Sequence, residues 1–85
     1  MTIDQILQKV KEETNLALAK HGQHFSYHES YAIMLEEVDE FWDIVKTKAK
    51  NRDHQHAIEE LIQIASCAVR AASAIAEREG IENDT

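Results

Sequence analysis

Three glutamates carry most of the chemistry this sequence could perform. Glu37 and Glu40 stand one helical turn apart, and Glu60 follows after 19 intervening residues. Successive residues rotate by about 100° around a helix. On that wheel Glu37 falls among Ile33, Met34, Phe41 and Ile44. Glu40 lies further toward the polar side but still beside Ile33 and Ile44. Glu60 shares its face with Ala57, Ile64, Cys67, Ala71 and Ala74, while its neighbour Glu59 has a polar face available. A carboxylate among apolar neighbours is costly unless it is protonated, paired with a cation or bound to metal. Three carboxylates brought together by two antiparallel helices repel one another, and a divalent cation relieves that. All-oxygen donors suit Mg²⁺ or Mn²⁺ better than Zn²⁺. The plainer alternative makes Glu37 and Glu40 rim residues paired with Lys or Arg.

Three helical segments must position these groups. The first runs from about Ile3 to Lys20, opened by the capping-box pair Thr2 and Gln5 and closed by Gly22. The second runs from about Tyr27 to Lys50, opened by Ser26 and Glu29. Tyr31, Met34, Leu35, Val38, Phe41, Trp42, Val45 and Ala49 are expected to form its single buried stripe. The third runs from about His54 to Glu79, with Asp53 as N-cap and Gly80 as stop. It has a second apolar stripe through Ile58, Leu61, Ile62, Ala65, Val69 and Ala72, which predicts burial on two sides. Gln55, Glu59, Ser66, Arg70, Ser73 and Glu77 form its expected polar face. The fold expected is all-α: an antiparallel helical hairpin plus a shorter N-terminal helix, one domain over 1–85 with a frayed tail at 81–85. One small protomer cannot cover a helix that is apolar on two sides, so a homodimer or homotetramer is expected.

Composition narrows the classes. The 85 residues include no Pro, 2 Gly and 1 Cys, against an all-β sandwich and against a disulfide scaffold. The net charge of −7 argues against nucleic acid and against an anionic membrane. No apolar run approaches a spanning helix. The Met1–Gln5 segment lacks the basic and apolar regions of a signal peptide, so the cytoplasm is the expected compartment.

Glu37-Val38-Asp39-Glu40 followed by Glu60-Leu61-Ile62-Gln63 resembles the all-α nucleoside triphosphate pyrophosphohydrolases of the MazG type. That family carries Glu-x-x-Glu on one helix and Glu-x-x-Asp on the next. Leu35 to Phe41 is similar to its Glu-Glu-x-x-Glu-hydrophobic run, and Glu59-Glu60-Leu61 to its Glu-Glu-Leu. The resemblance spans about Phe25 to Ala76. It implies Mg²⁺-dependent hydrolysis of a nucleoside triphosphate to the monophosphate and pyrophosphate. Glu37, Glu40 and Glu60 are then metal ligands or activate the attacking water. Gln63 occupies the fourth ligand position, where the family has Asp. A neutral amide binds metal more weakly, and Glu36 or Asp39 are the available substitutes. The departure keeps a second outcome open: a degenerate, non-catalytic module of the same fold that binds nucleotide or a protein partner. A carboxylate metal-binding bundle unrelated to nucleotides is a third.

Further candidates are weaker. Lys46, Lys50, Arg52 and Arg70 are possible phosphate contacts, although cations at a helix end are ordinary. Among Phe25, Tyr27, Tyr31 and Trp42, Trp42 is the best placed to stack a base, two residues after Glu40. His21, His24, His28, His54 and His56 are expected on the surface or in loops, with metal or phosphate contact as the alternative. Cys67 is expected to be a small buried hydrophobe.

Overall fold

A computed structural model describes residues 1–23 and 26–82. Among these residues there are three α-helices: α1 (Ile3–His21), α2 (Tyr27–Lys46) and α3 (His54–Glu79), with a short 3₁₀ turn at Ala49–Asn51. No strand occurs among the described residues. None of the helices among them is long and apolar enough to cross a membrane.

Local signals account for the ends. Thr2 and Gln5 form the reciprocal capping box on α1, and Gly22 ends that helix at φ 74°. The Ser26 hydroxyl accepts the Glu29 amide, and an Asp53 carboxylate oxygen accepts the His56 amide. Gly80 adopts φ 62°, a left-handed geometry that favours glycine, and stops α3. The second helix ends at Lys46 rather than Lys50. The Arg52 guanidinium reaches back to donate to the Val45 carbonyl at 2.7 Å, which satisfies an orphan acceptor at that end.

The third helix is the spine. Both other helices pack on α3 and not on each other. Glu13 pairs with Gln63, Thr14 with Ser66, and Gln23 with Glu77, so α1 runs parallel to α3. The start of α3 meets the end of α2 around Glu60 and Ile44, while Arg70 lies with Glu29 and Ile33, so α2 runs antiparallel to it. Because the backbones of α1 and α2 stay apart, a groove opens between them.

Two expectations about faces are corrected. Tyr31, Leu35, Val38, Trp42 and Val45 are exposed in the single chain, as is Ala49; Tyr31 is 65% exposed and Trp42 55%. The side of α2 turned inward carries Ser30, Ile33, Glu37, Phe41 and Ile44. Since that face includes a serine and a glutamate, hydrophobicity alone placed the stripe too far round the helix. On α3 the second apolar stripe is also incompletely covered, with Leu61 and Val69 exposed, whereas Ser66 and Arg70 are buried. The reason is α1, which docks on the nominally polar side through the hydroxyls of Thr14 and Ser66, 3.1 Å apart.

This packing leaves a thin core of Val10, Ile44, Cys67, Ala71 and Ala74. The accessible surface is 6499 Å², against about 5,100 Å² for a compact monomer of this mass. The radius of gyration is 14.5 Å, against about 12 Å for a compact chain of this length.

Candidate metal centre

Glu37 and Glu40 lie one turn apart on α2, and α3 brings Glu60 opposite them. One carboxylate oxygen from each lies within 4.8 Å of the others. The Glu60 side chain is only 12% exposed. Its Oε1 lies 3.2 Å from His56 Nε2, one turn earlier on α3. Its Oε2 is shut off from solvent and has no hydrogen-bond partner.

The electrostatics follow from that crowding. Burial, then the neighbouring Glu40 and Glu60 carboxylates, raise the Glu37 carboxyl from 4.5 to about 7. Glu40 is also raised, chiefly through its hydrogen bond and charge interaction with Glu60. Sharing protons or accepting a cation are the two ways such a cluster lowers its energy. Mg²⁺ and Mn²⁺ fit the chemistry of the donor set, since all three donors are carboxylate oxygens. Glu60 Oε2, buried and without a hydrogen-bond partner, is an acceptor open either to a cation or to a proton shared with Glu37 or Glu40.

Two cavities border the cluster. The larger, about 840 Å³, is the groove between α1 and α2, and has Glu37, Gln63 and Arg70 on its walls. The smaller, about 350 Å³, is lined by Glu40 and Glu60 together with Asp43, Ile44, Thr47 and His56.

The other candidates divide clearly. Gln63 stands near the cluster on α3, but its amide nitrogen donates to Glu13 Oε1 at 2.7 Å. Arg70 joins Glu37 on the wall of the larger cavity. Trp42, Lys46 and Lys50 line neither cavity. Lys46 pairs with Asp43 at 3.0 Å, and Trp42 lies on the exposed apolar side of α2. Glu36 borders the larger cavity and its charge contributes to raising Glu40; Asp39 is exposed. Cys67 is buried, 2% exposed, and burial pushes its thiol up. His24 and Phe25 lie outside the described residues, as does the end of the tail, Asn83 to Thr85.

Sequence reasoning missed Glu13, and it named His56 only as one of five histidines without pairing it with Glu60. That pairing had a visible signal, since His56 stands four residues before Glu60 on one helix face. Glu13 follows Val10 by three and precedes Ala17 by four, so it lay on the inner face of α1. Compared with protein-family models, with curated proteins and with solved structures, the chain matches none.

Proposed function

We propose that the protein is a divalent-cation-dependent nucleoside triphosphate pyrophosphohydrolase of the MazG-like all-α type. The observation that carries this reading is the convergence of Glu37, Glu40 and Glu60 from two helices, with the buried Glu60 Oε2 unpartnered. In the reaction, water adds to the α-phosphorus, the bond from that phosphorus to the bridging oxygen breaks, and nucleoside monophosphate and pyrophosphate leave. Glu37, Glu40 and Glu60 would hold Mg²⁺ or Mn²⁺, with the Gln63 carbonyl oxygen as a neutral fourth donor. Such a cation would neutralise phosphate charge and make its water more acidic. A second carboxylate oxygen of one of the three, not turned toward the cation, would take the proton from water. His56 holds Glu60 in place through its 3.2 Å contact.

The active form in this reading is a homodimer or homotetramer, working in the cytoplasm. Tyr31, Val38 and Trp42 on α2 and Leu61 and Val69 on α3 leave apolar area uncovered on a protomer with excess surface. A second copy is the simplest cover.

The test is a panel of ribo- and deoxyribonucleoside triphosphates incubated with Mg²⁺ or Mn²⁺, with pyrophosphate as the readout. Release that Glu60→Gln abolishes is expected. A second reading, the non-catalytic module, is favoured by the Gln63–Glu13 bond, which engages the amide that replaces the family's Asp. Thermal stabilisation by nucleotide with no pyrophosphate release would decide for it. Stabilisation by the cation alone would decide for a simple metal-binding bundle.

A further inference from the structure

Arg70 is 7% exposed, its Nε is closed off from solvent, and that nitrogen has no hydrogen-bond partner. The contact described for the guanidinium is Nη2 to Cys67 Sγ at 3.5 Å, and a thiol sulfur is a weak acceptor. Neither ion pair described, Lys46–Asp43 or His56–Glu60, involves it. Of the four carboxylates that line the same cavity, Glu13 has one oxygen engaged by Gln63, Glu37 is drawn into the carboxylate cluster, and neither Glu29 nor Glu36 forms an ion pair with Arg70 among the described residues. Arginine cannot escape burial by losing its proton. A buried guanidinium without an anion is a strongly unfavourable arrangement, and it persists here on the wall of an open groove.

We propose that Arg70 anchors a phosphate group of a ligand lying in the groove between α1 and α2. The planar guanidinium matches two phosphate oxygens at once. The groove, about 840 Å³, is within the range of about 300–1,000 Å³ typical of small-ligand sites. Lys20 of α1 adds a second cation to its walls, and Glu37 joins it to the carboxylate cluster. A lone carboxylate ligand would neutralise Arg70 and nothing more. A phosphate satisfies Arg70 and has oxygens left for a cation held by Glu37. The choice of phosphate rests on the pyrophosphohydrolase reading; the need for an anion at Arg70 does not.

The experiment follows the Arg70 Nε–H signal by NMR in the full chain. Inorganic phosphate, pyrophosphate and a nucleoside triphosphate analogue with a methylene bridge between the α- and β-phosphorus are titrated separately with Mg²⁺ present. Pyrophosphate and the analogue are expected to move the signal. Saturation by phosphate or pyrophosphate as tightly as by the analogue would identify the free anion as the ligand, with the anchor role intact. Arg70→Met is expected to weaken binding by about tenfold or more, while the ligand-free protein melts no lower than the parent because a buried unpaired charge is gone. The proposal is overturned if the signal ignores all three anions, or if Arg70→Met binds them unchanged. It is also overturned if the signal moves with protein concentration alone, since a carboxylate of a second copy would then be the partner. Should pyrophosphate move the signal in a protein that cleaves no nucleotide, the anchor stands and the enzymatic reading falls. Cleavage by Arg70→Met at unchanged KM would sink the anchor and leave the enzyme.

Discussion

Gln63 Nε2 donates to Glu13 Oε1 at 2.7 Å, tying the spine helix to α1 at the edge of the carboxylate cluster. The residue that departs from the resembled motif is therefore engaged in a tertiary contact. Gln63→Asp removes the donor and sets a second carboxylate beside Glu13. The metal-free variant is expected to lose about 1–3 kcal/mol of stability. Its affinity for Mg²⁺ or Mn²⁺ is expected to rise, because the ligand set gains a charge. Thermal melts with and without the cation check both halves, and pyrophosphate release in a silent parent would show that activity had been restored.

Stability should depend on pH through Glu37. Its carboxyl is raised from 4.5 to about 7 in the folded protein. Between those values the folded chain binds more proton than the unfolded one, so metal-free stability falls as pH rises across that window. Glu40 is shifted in the same direction and adds to the slope. A cation requires the ionised forms, so stabilisation by Mg²⁺ should grow as pH rises through the same window. Denaturant unfolding at about pH 5 and about pH 8, with and without Mg²⁺, measures the two opposing trends.

His56 is expected to matter through Glu60. In His56→Ala the Glu60 Oε1 loses its 3.2 Å partner and the carboxylate gains freedom to turn. Affinity for Mn²⁺ is expected to drop about tenfold. Calorimetric titration reads this directly. An unchanged affinity would mean that His56 does not orient the carboxylate.

Thr14→Val tests how α1 is held. The Thr14 hydroxyl donates to the Val10 carbonyl at 2.6 Å and lies 3.1 Å from the Ser66 hydroxyl. Both residues are buried. The substitution leaves Ser66 without a partner, and a loss of about 1–3 kcal/mol is expected in chemical denaturation.

The proposed assembly is checked by Trp42→Glu. Trp42 lines neither cavity and belongs to the exposed apolar side of α2. A carboxylate there would be buried unpaired by a second copy. Light scattering is expected to show an oligomer for the parent and a shift to monomer for the variant. A monomeric parent would overturn the assembly.

Local signals in the sequence were strong enough to place the helices. Capping residues act within one turn, so Thr2, Ser26, Asp53 and Gly80 mark their ends almost to the residue. The phase of Glu37, Glu40 and Glu60 was legible for the same reason, since it depends only on helical rotation. Which face meets which neighbour was not legible. Ser66 and Arg70 are polar by type and buried by position, because α1 docks beside them, and no periodicity within α3 announces that. The α2 stripe through Trp42 carries the converse lesson. Apolar spacing announces a face that wants cover without saying whether this chain provides it. Gln63 was visible as a departure, but its bond to Glu13 spans 50 residues and depends on the packing of two helices.

Both flanking helices rest on α3, and neither braces the other. The carboxylates belong to α2 and α3, while the far bank of the groove belongs to α1. Selection for a different ligand can therefore act on one helix alone. Substitutions along α1 that spare Glu13 would alter the groove's width and lining, while the three carboxylates keep their places on α2 and α3. The far bank of the groove and the carboxylate cluster sit on different helices, free to diverge at different rates.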